Sequence, residues 1–184
     1  MNVIGPRRTG GSRGQRFARA PSPVLAYLTP WLTIALASGL ASLPTTTSAP
    51  LMPPLGFLVL LSWRQLHPGL LPVWAGLPLG FVDDLVSGQP MGCGILTWSV
   101  TLIMLDAIEF RWPWRNFGIE WAVAAGLIVA YLIATAWINH LAGGGFTVML
   151  VLPQLVLSVL FYPFVARVVA RADTFRLTRF WILG

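Results

Sequence analysis

Apolar positions in this chain come in long blocks rather than in alternation. Six such blocks stand out, at about 23–43, 50–64, 69–87, 91–109, 119–141 and 146–169. Each is closed by helix breakers or charge: Pro44 and Pro50 after the first, Arg64, Gln65, His67 and Pro68 after the second, Asp83, Asp84 and Gly88 at the third. Glu109, Arg111, Pro113 and Arg115 close the fourth, and Gly143 to Gly145 close the fifth. An uncharged apolar run approaching ~20 residues is the length of a membrane-crossing helix. The second block is short for that purpose, and the third, as a helix, rises only ~25 Å. The pattern predicts an all-α integral membrane protein, a bundle of six transmembrane helices over 23–170. Residues 1–22 read as a disordered basic tail and 171–184 as a cytoplasmic interfacial segment. Pro153 and Pro163 predict kinks in the sixth helix.

Composition agrees, with 56% hydrophobic and 10% charged residues, where soluble domains carry roughly a quarter charged. The first apolar block exceeds the ~7–15 residues of a signal-peptide core and reads as a retained anchor. Arg7-Arg8 lacks the remainder of a twin-arginine signal. The net charge is +6, and all twelve basic residues are arginine. With six spans and a cytoplasmic N-terminus, the arginines distribute as five in the first tail, Arg64, Arg111 with Arg115, and four in the last segment. All twelve then lie on one side, as the bias of arginine towards the cytoplasm requires. The expected location is a bacterial inner membrane with both termini cytoplasmic. Arginines at span ends exclude a nucleic-acid surface and fit anionic lipid headgroups. Trp63, Trp112 and Trp114 are expected as interface anchors.

Two stripes of small residues recur every fourth position and so share a helix face. One runs Gly76, Gly80, Asp84, Gly88; the other runs Gly118, Ala122, Gly126, Ala130, Ala134. Small residues let helix backbones approach closely in a bilayer, within the chain or with a partner.

Candidate chemistry centres on Asp83 and Asp84, which this topology places near the outer face. Adjacent helical residues point about 100° apart, so they cannot work as one acid–base pair. Asp84 shares the glycine stripe and should face protein, and Asp83 should reach headgroups or water. Two readings of Asp84 stand side by side: a contact for a partner or ligand, or a carboxylate that caps the Gly88–Gly94 turn at the start of the fourth helix. Asp106, Glu109 and Glu120 read as interface ion pairs beside Arg111 and Arg115. His67 and His140 fall on opposite sides and cannot share a metal, and a loop histidine such as His67 is expected to be solvated. Cys93 has no neighbour that would make a thiolate. Asn139 and His140 are expected to end the fifth helix. No nucleophile elbow, phosphate loop or zinc-protease motif is present in the sequence. No catalytic set, metal or cofactor is expected.

Pro53, the run Leu58 to Trp63, and then Gly80-Phe-Val-Asp-Asp84-Leu-Val-Ser-Gly88-Gln-Pro-Met-Gly92 resemble the bacterial rod-shape-determining membrane protein family MreD. That family shows a proline before the second span and a Gly-x-x-x-Asp-Leu-x-x-Gly-x-x-x-Gly signature closing the third. Gly80, Asp84, Gly88 and Gly92 fall on it, with Gly76 one turn earlier. The arginine-rich tail and Asp83 depart from the pattern. The resemblance, over about 23–170, implies a non-enzymatic scaffold subunit of the rod, or elongation, complex. It would maintain cell shape and support lateral peptidoglycan synthesis by binding MreC, and through it MreB, RodA and its transpeptidase. It also implies a bundle similar to the substrate-binding subunits of energy-coupling-factor transporters. The alternative function is a small-molecule, vitamin-like binding or transport subunit, with a cavity lined by Asp84, Thr97 and Thr101. A lipid-modifying enzyme using Asp83, Asp84 and His140 is a third class.

Overall fold

Apolar runs fold as helices because nearly every backbone donor and acceptor is then satisfied within the run. A computed structural model describes residues 23–42, 52–111, 116–143 and 148–177. The elements are α1 (Pro23–Ala41), α2 (Leu55–Leu66), a 3-10 turn (Val73–Ala75) leading into α3 (Gly76–Ser87), α4 (Cys93–Arg111), α5 (Phe117–Leu141) and α6 (Val148–Leu177). No strand occurs among the described residues. The spans α4, α5 and 151–174 of α6 are long and apolar enough to cross a membrane. Among the described residues the protein is thus all-helical, with three helices of membrane-crossing length.

The short second and third blocks have a local cause. Pro53 and Pro54 delay α2 until Leu55, since proline has no N–H and bars the preceding turn from helix. Gly69 takes a positive φ of 88° and Pro72 is extended, so the third block becomes helical only from Val73. At 12 residues each, α2 and α3 measure about 18 Å, less than the ~30 Å hydrocarbon core. At the other end, no glycine or proline follows Pro163 before Leu177, and α6 continues through it. The start of the expected interfacial segment 171–184 is therefore helix, continuous with the sixth block. The 30 residues of α6 span about 45 Å, with Pro153 and Pro163 inside. The tail 1–22 lies outside the described residues.

The centre of the bundle is α2. Nine of its twelve residues are buried, which explains why it is apolar almost all round. It packs against α1, α5 and α6, while α3 packs against α4 and α1. A helix enclosed by protein need not match the bilayer, so its shortness is tolerated. Phe57 of α2 stacks on Tyr131 of α5, with centroids 4.0 Å apart, and meets Trp98 of α4 at 6.3 Å.

Trp63 belongs to this core. It is fully buried and donates its indole N–H to Thr33 Oγ1 at 2.9 Å. An interface anchor presents its ring to headgroups, so the expectation for Trp63 is corrected: the end of α2 lies inside the protein. Trp112 and Trp114 lie outside the described residues.

Candidate functional site

The element built by the glycine–aspartate signature is an interlocked hairpin of α3 and α4. Its first lock is backbone contact. A Cβ on Gly80 would lie 2.5 Å from the Gly94 carbonyl oxygen and 2.7 Å from Ile95 Cα, and one on Gly76 would lie 2.7 Å from Ser99 Cα. The contact is reciprocal, since a Cβ on Gly94 would meet the Gly80 carbonyl oxygen at 2.8 Å. Residue numbers rise on α3 as they fall on α4, so the pair is antiparallel. The Gly76–Gly80 stripe is thus spent within the chain, against α4.

The second lock is Asp84. Its carboxylate, 3% exposed, accepts three backbone N–H bonds, from Gly94 at 2.6 Å, Gly92 at 2.9 Å and Ile95 at 3.3 Å. The first N–H groups of a helix have no partner inside it, and the positive end of the helix dipole favours a negative charge. Asp84 meets both needs for α4 from the preceding helix. The turn between is set by Gly88, which ends α3 with φ 67°, and Gly92 with φ 98°. Side chains with a Cβ rarely adopt these values. Of the two readings of Asp84, the capping carboxylate is the one the geometry realises.

Asp83 does not reach headgroups. It is 8% exposed, because α1 covers this side of α3 and brings Ser38 against it. Thr97 and Thr101 are buried and return their hydroxyl protons to α4 itself, to the Cys93 and Thr97 carbonyls, each at 2.7 Å. Cys93 is buried and free. His140 and Asn139 sit in the last turn of α5, as expected. An open apolar cleft of about 270 Å³ is lined by Met52, Pro53, Leu55, Leu157 and Phe161. Among the described residues, no three metal-ligating side chains come together.

At the opposite end of the bundle, the end of α2 ties three helices. Arg64, 2% exposed, bonds Asp106 at 2.8 Å and Glu109 at 3.1 Å. Gln65 accepts from Tyr162 at 2.7 Å and donates to the Glu120 carbonyl at 3.2 Å. His67 meets Asp173 of α6 at 2.8 Å. Of the acids expected as ion pairs beside Arg111 and Arg115, Asp106 and Glu109 pair with Arg64, and His67 is held by Asp173 of α6 instead of standing free in the loop. The sequence carried one sign of this: Arg64 lies three, four and seven residues after Leu61, Leu60 and Phe57, on their helix face. Arg64→Ala is expected to cost about 3–5 kcal/mol, the loss for removing one member of a buried ion pair. Asp106→Asn should cost under about 1 kcal/mol, because that carboxylate is 61% exposed and screened by solvent. Unfolding in mixed micelles measures both, and equal losses contradict the burial argument.

The second stripe behaves differently from the first. Gly118, Ala122, Gly126 and Ala130 are exposed along α5 and Ala134 is half-buried. A Cβ at Gly118 or Gly126 meets nothing within 4 Å. Ala124, Ile128 and Tyr131 carry the packing of α5 into the core instead. A backbone-accessible strip therefore faces outward on the longest uninterrupted span. No protein-family model, curated protein or solved structure matches the chain.

Proposed function

We propose that this chain is a non-enzymatic scaffold of the MreD type in a bacterial inner membrane. In this reading it has six transmembrane helices, both termini in the cytoplasm, and the bundle plan of energy-coupling-factor substrate-binding subunits. It holds the transmembrane helix of MreC, and through MreC engages MreB, RodA and its transpeptidase during cell elongation. Anionic lipids neutralise its cytoplasmic arginines.

The observation that carries the reading is the uncovered strip Gly118, Ala122, Gly126, Ala130 on α5. Lipid tails supply no hydrophobic drive for helix association, and small residues are what allow a second backbone close enough for dispersion contacts. The signature Gly80, Asp84, Gly88, Gly92 supports the reading in another way. It stiffens the α3–α4 hairpin from within, so the bundle presents one fixed outer shape. Partner contact thus belongs to α5 and not to the α3 stripe. The small-molecule alternative needs Asp84, Thr97 and Thr101 free to line a cavity, and all three are engaged with backbone.

A photo-crosslinking side chain tests the surface. Placed at Ala130, it is expected to capture MreC in membranes. Placed at Leu157 on α6, which is also exposed, it is expected to capture only lipid. Capture from Leu157 alone, or from neither position, contradicts the assignment.

A further inference from the structure

The cleft lined by Met52, Pro53, Leu55, Leu157 and Phe161 takes no part in the α3–α4 hairpin, and its position has a cause in the sequence. Pro53 and Pro54 hold back the start of α2 to Leu55, because proline offers no N–H and disfavours helix before it. A 12-residue helix therefore lies beside one of 30 residues, about 18 Å against about 45 Å. The two are tied at either end of α2: Gln154 donates to the Met52 carbonyl at 2.9 Å, and Tyr162 donates to Gln65 at 2.7 Å. Between these ties stand Leu157 and Phe161, one helical turn apart. With Met52, Pro53 and Leu55 they enclose an open space of about 270 Å³.

The lining decides what this space can hold. All five residues are apolar, the Met52 carbonyl is taken by Gln154, and Pro53 has no N–H. Apolar spaces of this kind stay dry and accept apolar guests. The size excludes a second helix. A round space of that volume is about 8 Å across, and a helix with its side chains measures about 10–12 Å. The mouth opens on the bilayer side of the bundle. Met52, Leu157 and Phe161 are 38–45% exposed, and α6 continues the same apolar surface through Leu152, Val156, Leu160 and Phe164, at 48–64%. These residues belong to a span of membrane-crossing length, whose outward face meets lipid tails. An empty cleft would forfeit the dispersion contacts of its walls.

We propose that the cleft seats one acyl chain of a membrane phospholipid. The chain fills the step left where the short α2 falls below the hydrocarbon thickness. No charged side chain lines the cleft, so the tail is recognised and the headgroup is not. The site needs lipid but no MreC, and it stands apart from the docking strip on α5.

The full-length protein in detergent micelles is titrated with a phosphatidylcholine that carries a photoreactive group in one acyl chain. Labelled residues are mapped by mass spectrometry. Labelling at Met52 and Phe161 is expected to saturate at a single lipid per protein, while labelling at Leu152 and Leu160 rises in proportion to the lipid added. Leu157→Trp fills the cleft from an exposed position. It is expected to remove the saturable labelling with the melting temperature unchanged, whereas Leu160→Trp leaves that labelling intact. A phosphatidylglycerol probe with the same tails is expected to give the same half-saturation. Labelling at Met52 and Phe161 that never saturates, or that survives Leu157→Trp, overturns the proposal. So does a half-saturating concentration that differs by more than about tenfold between the two headgroups. A wild type unlabelled at Met52 and Phe161 also overturns it, and is the result expected if residues 43–51 or a partner protein fill the cleft instead.

Discussion

Gly80→Leu is expected to remove the folded protein, not just a binding function. The atoms that a side chain at position 80 would strike are the Gly94 carbonyl and Ile95 Cα, at 2.5–2.7 Å. These are backbone atoms of α4 and cannot rotate away. Overpacking a well-fitted contact typically costs about 1–3 kcal/mol; here the α3–α4 interface must also part, which withdraws the Asp84 cap. Even Gly80→Ala should fall at or beyond the top of that range. Gly88→Ala is the matched control. It meets no atom within 4 Å but has φ 67°, so only the left-handed strain of about 1–2 kcal/mol applies. Unfolding by SDS in mixed micelles separates the two. A Gly80→Ala variant no less stable than Gly88→Ala would show that the helices do not touch at this point.

Asp84→Ala carries the second large effect. Three backbone donors at the start of α4 lose a charged acceptor, and bonds to charged groups are worth about 1.5–3 kcal/mol each. The losses are not additive, because N–H groups freed at the end of the α3–α4 hairpin can recruit water. A total of about 3–5 kcal/mol is expected. Asp84→Asn keeps one carbonyl acceptor and should lose roughly half as much. Hydrogen exchange reports the cause directly: the Gly94 and Ile95 amides should exchange faster in Asp84→Ala, while amides in the middle of α5 should not change. Uniform acceleration along the chain would mean a global effect with no capping role.

These two residues also mark how far the sequence could be read. The period of four placed Gly76, Gly80 and Asp84 on one face, and the glycines around the turn announced a tight connection. Both followed from short-range geometry, and both hold in the fold. The partner of that face did not follow. The α3 and α5 stripes are equivalent as patterns, and only the packing distinguishes the one covered by α4 from the one left open. Asp83 was misplaced for a related reason: a 100° rotation moves it off the stripe, but whether lipid or α1 lies there is a tertiary fact. Trp63 fits the distribution of interface tryptophans until α2 is seen to be enclosed. The pairing of Arg64 with Asp106 and Glu109, and of His67 with Asp173, joins positions 42 to 106 residues apart, beyond the reach of any local spacing rule.

If α5 docks MreC, as proposed, Gly126→Leu shows it most directly. The position is exposed and open, so the substitution should change stability by less than about 0.5 kcal/mol. It also fills the strip with a bulky side chain that keeps a second backbone away. The measurement is the amount of MreC retained per folded protein on copurification from membranes. At least about a tenfold loss is expected, equivalent to about 1.4 kcal/mol of association, with the melting temperature unchanged. Full retention of MreC by a folded Gly126→Leu protein would contradict it.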